Sequence, residues 1–382
     1  MKYQLLYASR IVVITFLFSA IIMFLMRKVA IHIGAMDLPT KAEGNRHIHK
    51  KPMPKLGGVG IFLAFLFGYI LFGEQSIRMN SILIGSFIVI LMGIVDDLNP
   101  VRAKYRFLVH IVAAMVIVFY GGILLDNITA FGFSLNFGIL SYPITILFIV
   151  ACTDVIDLID GLDGLSGGIC SIFYLTIAII CFFQGRMGSL VMILTLIMLG
   201  STLGFLVHNF HPAKIFAGDC VTFMGFIIAV ITLLEFKGPA LISFFVPVTI
   251  LGIPILDTLF AIIRRLLKGQ PPFQADKEHL HHQLLGMNFS QTTTVLIIYL
   301  IDTIFAAASI FYTLVDPIIG EIIYILIFII VLWFVLHTTI ISEKTPAKTQ
   351  EILSRFLSKK QAYQKCFFFD IKKKYDRMKK GA

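Results

Sequence analysis

For most of its length the chain alternates between long apolar runs and short polar connections. The runs fall at about 8–27, 57–73, 80–95, 107–123, 141–157, 166–184, 187–207, 220–236, 240–263, 292–315 and 319–341. Each is close to the ~20 residues that cross a bilayer as helix. Lipid offers no hydrogen-bond partner to an open strand edge, so helix is the form expected of them. The pattern predicts an all-α polytopic membrane protein of about eleven transmembrane helices. The first run, at 11–26, is too long for a signal-peptide core and lacks a small-x-small cleavage site, so it reads as a retained span.

Composition agrees with this reading: 58% of residues are hydrophobic and 14% charged, where a soluble chain carries roughly 25% charged residues. The net charge of +10 would suit nucleic acid in a soluble protein, but here its placement argues otherwise. Eleven spans put the termini on opposite sides, and 27 of the 32 Lys and Arg residues then fall on one side. The positive-inside rule makes that side cytoplasmic, with the N-terminus outside and the C-terminus inside. Residues 1–341 form a single transmembrane domain, and 342–382 a basic cytoplasmic tail suited to anionic membrane lipids. The five cysteines show no CxxC spacing and read as small buried hydrophobes.

With this topology the dense polar clusters all lie at the cytoplasmic face. The most unusual runs from Cys152 to Leu165, where Asp154, Asp157, Asp160 and Asp163 recur at every third position. Helical spacing would place the first three along one side, and Gly161 and Gly164 would let a ligand approach the backbone. Carboxylates next to lipid are costly, which points to a metal or substrate. Asp96 and Asp97 end another span ahead of Arg102, Lys104 and Arg106. Adjacent carboxylates repel unless a cation lies close by, and all-oxygen sites suit Mg²⁺. A third cluster, 208–219, supplies Asn209, Lys214 and Asp219 beside Gly218. A fourth holds His279, His281 and His282 with Arg264, Arg265, Lys268 and Lys277, a mixture better suited to phosphate than to zinc. Asp257 and Asp302 stand alone in their spans; Asp302 is assigned no role. Carboxylates for a divalent metal, cations for phosphates and a membrane setting together suggest phosphoryl transfer to a lipid partner.

The ordered motifs resemble one family, the polyprenyl-phosphate N-acetylhexosamine-1-phosphate transferases of glycosyltransferase family 4. They comprise Asp37-Leu-Pro39, His49-Lys-Lys-Pro-Met-Pro-Lys-Leu-Gly-Gly58, Asp96-Asp97-Leu98, Asp160-Gly-Leu-Asp-Gly-Leu165, Pro212-Ala-Lys-Ile-Phe216 with Gly218-Asp219, Pro254-Ile-Leu-Asp-Thr258, Arg264-Arg265 and Asp276-Lys-Glu-His-Leu-His-His282. Eleven spans and the His-Leu-His-His form resemble the teichoic-acid and O-antigen branch. The phospho-MurNAc-pentapeptide transferases usually have ten spans and a different histidine motif. The resemblance implies a bacterial inner-membrane enzyme that moves N-acetylglucosamine 1-phosphate from a UDP-N-acetylhexosamine to undecaprenyl phosphate. Mg²⁺, or alternatively Mn²⁺, would assist, and UMP would be released. It further implies that Asp96 and Asp97 are catalytic and that Asp97 and Asp219 hold the metal. Asp160, Asp163 and Asn209 would shape the nucleotide pocket, His279, His281, His282 and Arg265 would hold the pyrophosphate, and Lys50 would meet the lipid phosphate. No nucleic-acid partner is implied, and a homodimer is the candidate assembly.

The chain departs from the family pattern in carrying Asp154 and Asp157 where asparagines are usual, and Cys220-Val-Thr222 where a small residue and Gly-Ser are usual. Two added negative charges would weaken binding of an anionic donor unless metal or protonation offsets them. These departures motivate an alternative, a catalytically silent membrane scaffold. A phospho-MurNAc-pentapeptide transferase-like enzyme is a second alternative. A proton-coupled transporter ranks last, because it calls for polar residues at mid-bilayer with access from both faces.

Overall fold

The computed structural model describes residues 2–37, 52–130, 133–235, 284–287 and 289–315, with isolated positions between 319 and 329. The predicted span at 240–263, nearly all of 319–341 and the tail lie outside the described residues. The other nine predicted spans are all helical. They are α1 (Lys2–Ile33), α2 (Gly57–Phe72), α3 (Ile77–Leu98), α4 (Ala103–Met115), α5 (Ser141–Ile159), α6 (Leu165–Phe183), α7 (Leu190–Asn209), α8 (Thr222–Glu235) and α9 (Gln291–Leu314). Seven helical stretches are long and apolar enough to cross a membrane, α4 counting with a π-type continuation over Val116–Tyr120. The α2 helix is apolar but has 16 residues.

The helices α6, α7 and α8 form the inside of the bundle. Every residue of α8 is buried, and around it pack α2, α3, α5, α6 and α7. Without a hydrophobic drive between helices in lipid, close backbone approach and hydrogen bonds have to hold such a bundle together. The α1–α7 contact uses both. Side chains at Gly200 or Gly204 would collide with α1, and the Ser19 hydroxyl donates to the Ser201 carbonyl at 2.6 Å. Large apolar residues such as Ile21, Phe24, Phe87, Leu147 and Leu300 cover the outside, as a lipid-facing surface requires.

Two short antiparallel pairings interrupt the all-helical expectation. Met36–Asp37 (β1) pairs with Met53–Pro54 (β2), and Asn127–Ala130 (β3) with Phe133–Asn136 (β4). Both lie in connections between helices, where the apolar pattern carries no strand signal. The first has a structural consequence. Lys55, just beyond β2, bridges to Phe216, and the Phe216 carbonyl accepts the Gly57 amide at 2.8 Å. The start of α2 is thereby fixed to the loop before α8. Cys152, Cys170, Cys181 and Cys220 are buried free thiols, as expected. Asp302 is fully buried on α9, and neither oxygen has a hydrogen-bond partner among the described residues.

Candidate active site

The last turn of α3 carries Asp96 and Asp97, both nearly buried. Asp96 accepts the Val101 amide at 2.6 Å on one oxygen and Arg106 Nη1 at 2.8 Å on the other. Asp97 Oδ1 accepts the Asp219 amide at 3.0 Å and lies 4.0 Å from Lys55 Nζ. Each of the adjacent carboxylates thus has its own cation, as their repulsion demands. Asp97 Oδ2 is different: it is buried and has no hydrogen-bond partner among the described residues.

Asp219 reaches this place because of the residue before it. Gly218 sits at φ +70°, and a Cβ there would fall on the Asp97 carboxylate. Only glycine both adopts that conformation readily and leaves room for the carboxylate. The Asp219–Val221 turn then leads into α8. The backbone of Cys220 is lodged between Gly58 of α2 and Gly93 of α3, either of which would collide with it if given a Cβ. Val221 is 1% exposed and belongs to the core.

The aspartate row divides into two parts. Asp154 and Asp157 do share a side of α5, and that side faces α4. Asp154 Oδ1 lies 2.7 Å from His110 Nδ1, and Asp157 Oδ2 lies 3.7 Å from Arg106 Nη1. Spacing of three on α5 meets spacing of four on α4. Both departures from the family pattern therefore have a polar neighbour on α4, His110 for Asp154 and Arg106 for Asp157. Asp160 leaves the row: it ends α5 outside helical geometry, and its carboxylate accepts the Ser166 hydroxyl at 2.5 Å. Asp163, 2% exposed, accepts from His211 Nδ1 at 2.8 Å and from the Ala213 amide at 3.1 Å. Asn209 Oδ1 accepts the Gly164 amide at 2.9 Å, while its Nδ2 donates to the Ile215 carbonyl at 3.0 Å. Asp163 and Asn209 consequently act as braces between the 160–164 turn and the 210–218 loop.

One guanidinium nitrogen, Arg106 Nη1, lies 2.8 Å from Asp96, 3.1 Å from Asp219 and 3.7 Å from Asp157. Burial raises the Asp219 pKa, Asp96 adds to the rise, and Lys55 and Arg106 oppose it. Burial lifts Asp160 to about 6 against the pull of the Ser166 hydrogen bond. Among the described residues, Asp96, Asp97, Asp157 and Asp219 share two cations, Arg106 and Lys55, and Lys55 also lies 3.7 Å from Asp37, a shortfall of positive charge. A divalent ion fits that shortfall, and the unpartnered Asp97 Oδ2 is a hard oxygen donor of the kind Mg²⁺ takes. Among the described residues no three His, Cys, Asp or Glu side chains form a ready-made metal cage. An ion held here would complete its shell with water and substrate phosphate oxygens, as Mg²⁺ usually does.

Three of the four polar clusters thus converge at one end of the bundle. Lys50, Arg265, His279, His281 and His282 lie outside the described residues. Sequence reasoning named Arg106 only as a basic neighbour of Asp96 and Asp97, and overlooked His110 and the part played by Lys55. The signal for Arg106 and His110 was the match of their spacing to that of Asp154 and Asp157. Lys55 lay unremarked inside the Pro-Lys-Leu-Gly-Gly motif.

A family model for glycosyl transferase family 4 matches residues 79–235, a stretch that contains the carboxylates of this site from Asp96 to Asp219. Across 303 residues the chain is 40% identical to a Bacillus subtilis (strain 168) protein named as a probable undecaprenyl-phosphate N-acetylglucosaminyl 1-phosphate transferase, covering 78% of this chain and 83% of that one. It is 30% identical to a decaprenyl-phosphate N-acetylglucosaminephosphotransferase of Mycobacterium tuberculosis (strain CDC 1551 / Oshkosh), covering 75% and 78%. It is 29% identical to an undecaprenyl-phosphate alpha-N-acetylglucosaminyl 1-phosphate transferase of Salmonella typhi, covering 80% and 84%. With relatives aligned over most of both chains and the family's carboxylates gathered into one site, the chain belongs to glycosyl transferase family 4.

Proposed function

We propose that this protein transfers N-acetylhexosamine 1-phosphate, specifically N-acetylglucosamine 1-phosphate, from its UDP-linked form to undecaprenyl phosphate. The reaction releases UMP and begins an envelope polysaccharide or teichoic acid. The observation that carries the reading is the buried Asp97 Oδ2 beside Asp219, unpartnered among the described residues, in a chain whose relatives are named for N-acetylglucosamine 1-phosphate transfer to a polyprenyl phosphate. The excess of Lys and Arg in the connections on the site's side supports a cytoplasmic active end in a bacterial inner membrane, where the nucleotide donor is available.

In the proposed reaction an oxygen of the lipid phosphate attacks the β-phosphorus of the donor. A new P–O–P link forms, the bond from that phosphorus to its bridging oxygen breaks, and UMP leaves with the electron pair. Asp97 Oδ2, which has no hydrogen-bond partner among the described residues, is the oxygen assigned to the metal, and Asp96 and Asp97 are assigned to the chemistry at the lipid phosphate. Asp96 orients Arg106, and Arg106 and Lys55 place positive charge where phosphates gather. Asp97 and Asp219 would hold Mg²⁺ or Mn²⁺, which screens the pyrophosphate charge and stabilises the departing UMP. Asp160, Asp163 and Asn209 shape the nucleotide side. Arg265, His279, His281 and His282 are assigned to the pyrophosphate and Lys50 to the lipid phosphate.

The test is UMP release by protein purified in detergent, with and without undecaprenyl phosphate and Mg²⁺, beside Asp97→Asn. Release that requires lipid and metal, and falls by about 10³-fold in the variant, is the expected result. Folded protein that releases no UMP from any UDP-N-acetylhexosamine would overturn the reading in favour of the scaffold.

A further inference from the structure

The 160–164 turn is held from two sides at a single residue, Gly164. From one side, Asn209 on α7 accepts the Gly164 amide at 2.9 Å. From the other, the Tyr299 hydroxyl on α9 donates to the Gly164 carbonyl in a short hydrogen bond. Gly164 itself is at φ +81°, a conformation that glycine adopts readily and a side chain would disfavour. The approach of Tyr299 is also built into α6, because a Cβ at Gly168 would overlap the tyrosine ring. Asp160, Asp163 and Ser166 lie on either side of Gly164, and Asp160 is joined to Ser166. Tyr299 thus reaches, from a helix beyond the stretch matched by the family model, the residue that follows Asp163 and closes the turn begun at Asp160.

We infer that Tyr299 is a positioning residue for nucleotide-sugar binding: its hydrogen bond to Gly164 holds the Asp160–Gly164 turn in the shape that receives the uridine-linked donor. The inference rests on the proposed function above, since it takes the turn to be the nucleotide side of the site. A hydroxyl that only stabilised the bundle would act on melting temperature and not on donor affinity. Tyr174 supplies that comparison. It is fully buried and donates to the Met224 carbonyl at 3.1 Å, in the bundle interior and outside the turn.

The experiment measures equilibrium binding of UDP-N-acetylglucosamine and of UMP to purified full-length protein by calorimetry, alongside KM and kcat for both substrates. Tyr299→Phe is expected to weaken donor binding and raise its KM by about five- to tenfold, the range that loss of one buried hydrogen bond gives. The KM for undecaprenyl phosphate and kcat should change by less than about twofold, since lipid contacts and chemistry lie elsewhere. Gly168→Ala, which pushes the ring away, should reproduce the donor effect. Tyr174→Phe should lower the melting temperature with no change in donor affinity. Donor binding unchanged in both Tyr299→Phe and Gly168→Ala would overturn the inference, as would an equal loss for both substrates. Should the wild-type protein bind no uridine nucleotide at all, the proposed function itself fails. Intact wild-type binding with an indifferent Tyr299→Phe rejects only the role of Tyr299.

Discussion

Helix α8 has a carboxylate at each end, and the two are treated in opposite ways. Glu235, at its C-terminal end, is almost completely buried and is matched one to one. Arg186 Nη1 reaches one oxygen at 2.6 Å and Cys181 Sγ the other at 3.4 Å. Asp219, just before its N-terminal end, belongs to a group with Asp96, Asp97 and Asp157 that, among the described residues, shares Arg106 and Lys55, the latter also near Asp37, and leaves one buried oxygen without a hydrogen-bond partner. Glu235 is buried and Asp219 partly exposed, but Asp96 and Asp97 beside Asp219 are buried as well, so burial alone does not separate the two ends. Charge balance does. A buried ion pair with every atom engaged holds helices in register, whereas a surplus of one sign costs stability and persists where a ligand of the other sign completes it.

The strongest way to break this contrast is to neutralise one carboxylate at each end. Asp97→Asn should lower kcat for UMP release by about 10³-fold while leaving the melting temperature unchanged or higher, because it relieves repulsion at an overcharged site. Glu235→Gln should do the reverse, lowering the melting temperature of the purified protein with kcat retained. An Asp97→Asn protein that melts early and still turns over would collapse the distinction. Next in size is Gly218→Ala. It introduces a strained φ and a methyl group into the Asp97 carboxylate, and should cost about 10²-fold in kcat, the usual penalty for displacing a reacting group by about 1 Å.

At the far end, Arg186→Met leaves the Glu235 carboxylate buried and unmatched. Removing one partner of a buried pair typically costs about 3–5 kcal/mol. Arg186 is over a third exposed, so solvent screening reduces the expectation to about 1–3 kcal/mol. The double variant Arg186→Met with Glu235→Leu should recover most of the loss, since no charge is then stranded. A double variant no more stable than the single one would show that the pair contributes something beyond compensation.

The two ends also differed in how legible they were in the sequence. The helices could be read because apolar runs of bilayer length leave few alternatives, and the site end stood out because Asp96-Asp97 and the aspartates at every third position interrupt those runs. Arg106 and His110 were harder, since their role depends on α4 lying against the polar side of α5, which no local pattern states. The Glu235–Arg186 pair joins residues 49 apart and had no motif to announce it. The hairpin that brings Lys55 to Asp97 uses strands of two residues, too short to show any period. Asn209 and Asp163 were recognised as site residues, but only the structure shows Asn209 bracing loops with both ends of its amide and Asp163 with one oxygen that accepts two donors.

The smallest effect concerns Asp160, which lies at the site end, with Ser166 rather than a cation as its nearest polar partner. Burial lifts its pKa from 3.8 to about 6. The native protein therefore keeps a proton between pH 4 and pH 6 that the unfolded chain has already released. In linkage terms the unfolded state binds fewer protons across that window, so stability from this group falls as pH rises through it and levels off above about 6. Asp160→Asn removes the dependence. The difference in melting temperature, variant minus wild type, should grow from near zero at pH 4 to its full value by pH 7. A difference that shrinks over the same interval would mean that the Ser166 hydroxyl stabilises the ionised carboxylate more than burial penalises it. Asp160 would then resemble Glu235, an acid satisfied by the protein itself, and the division between the two ends of the bundle would lie closer to the Asp97–Asp219 pair.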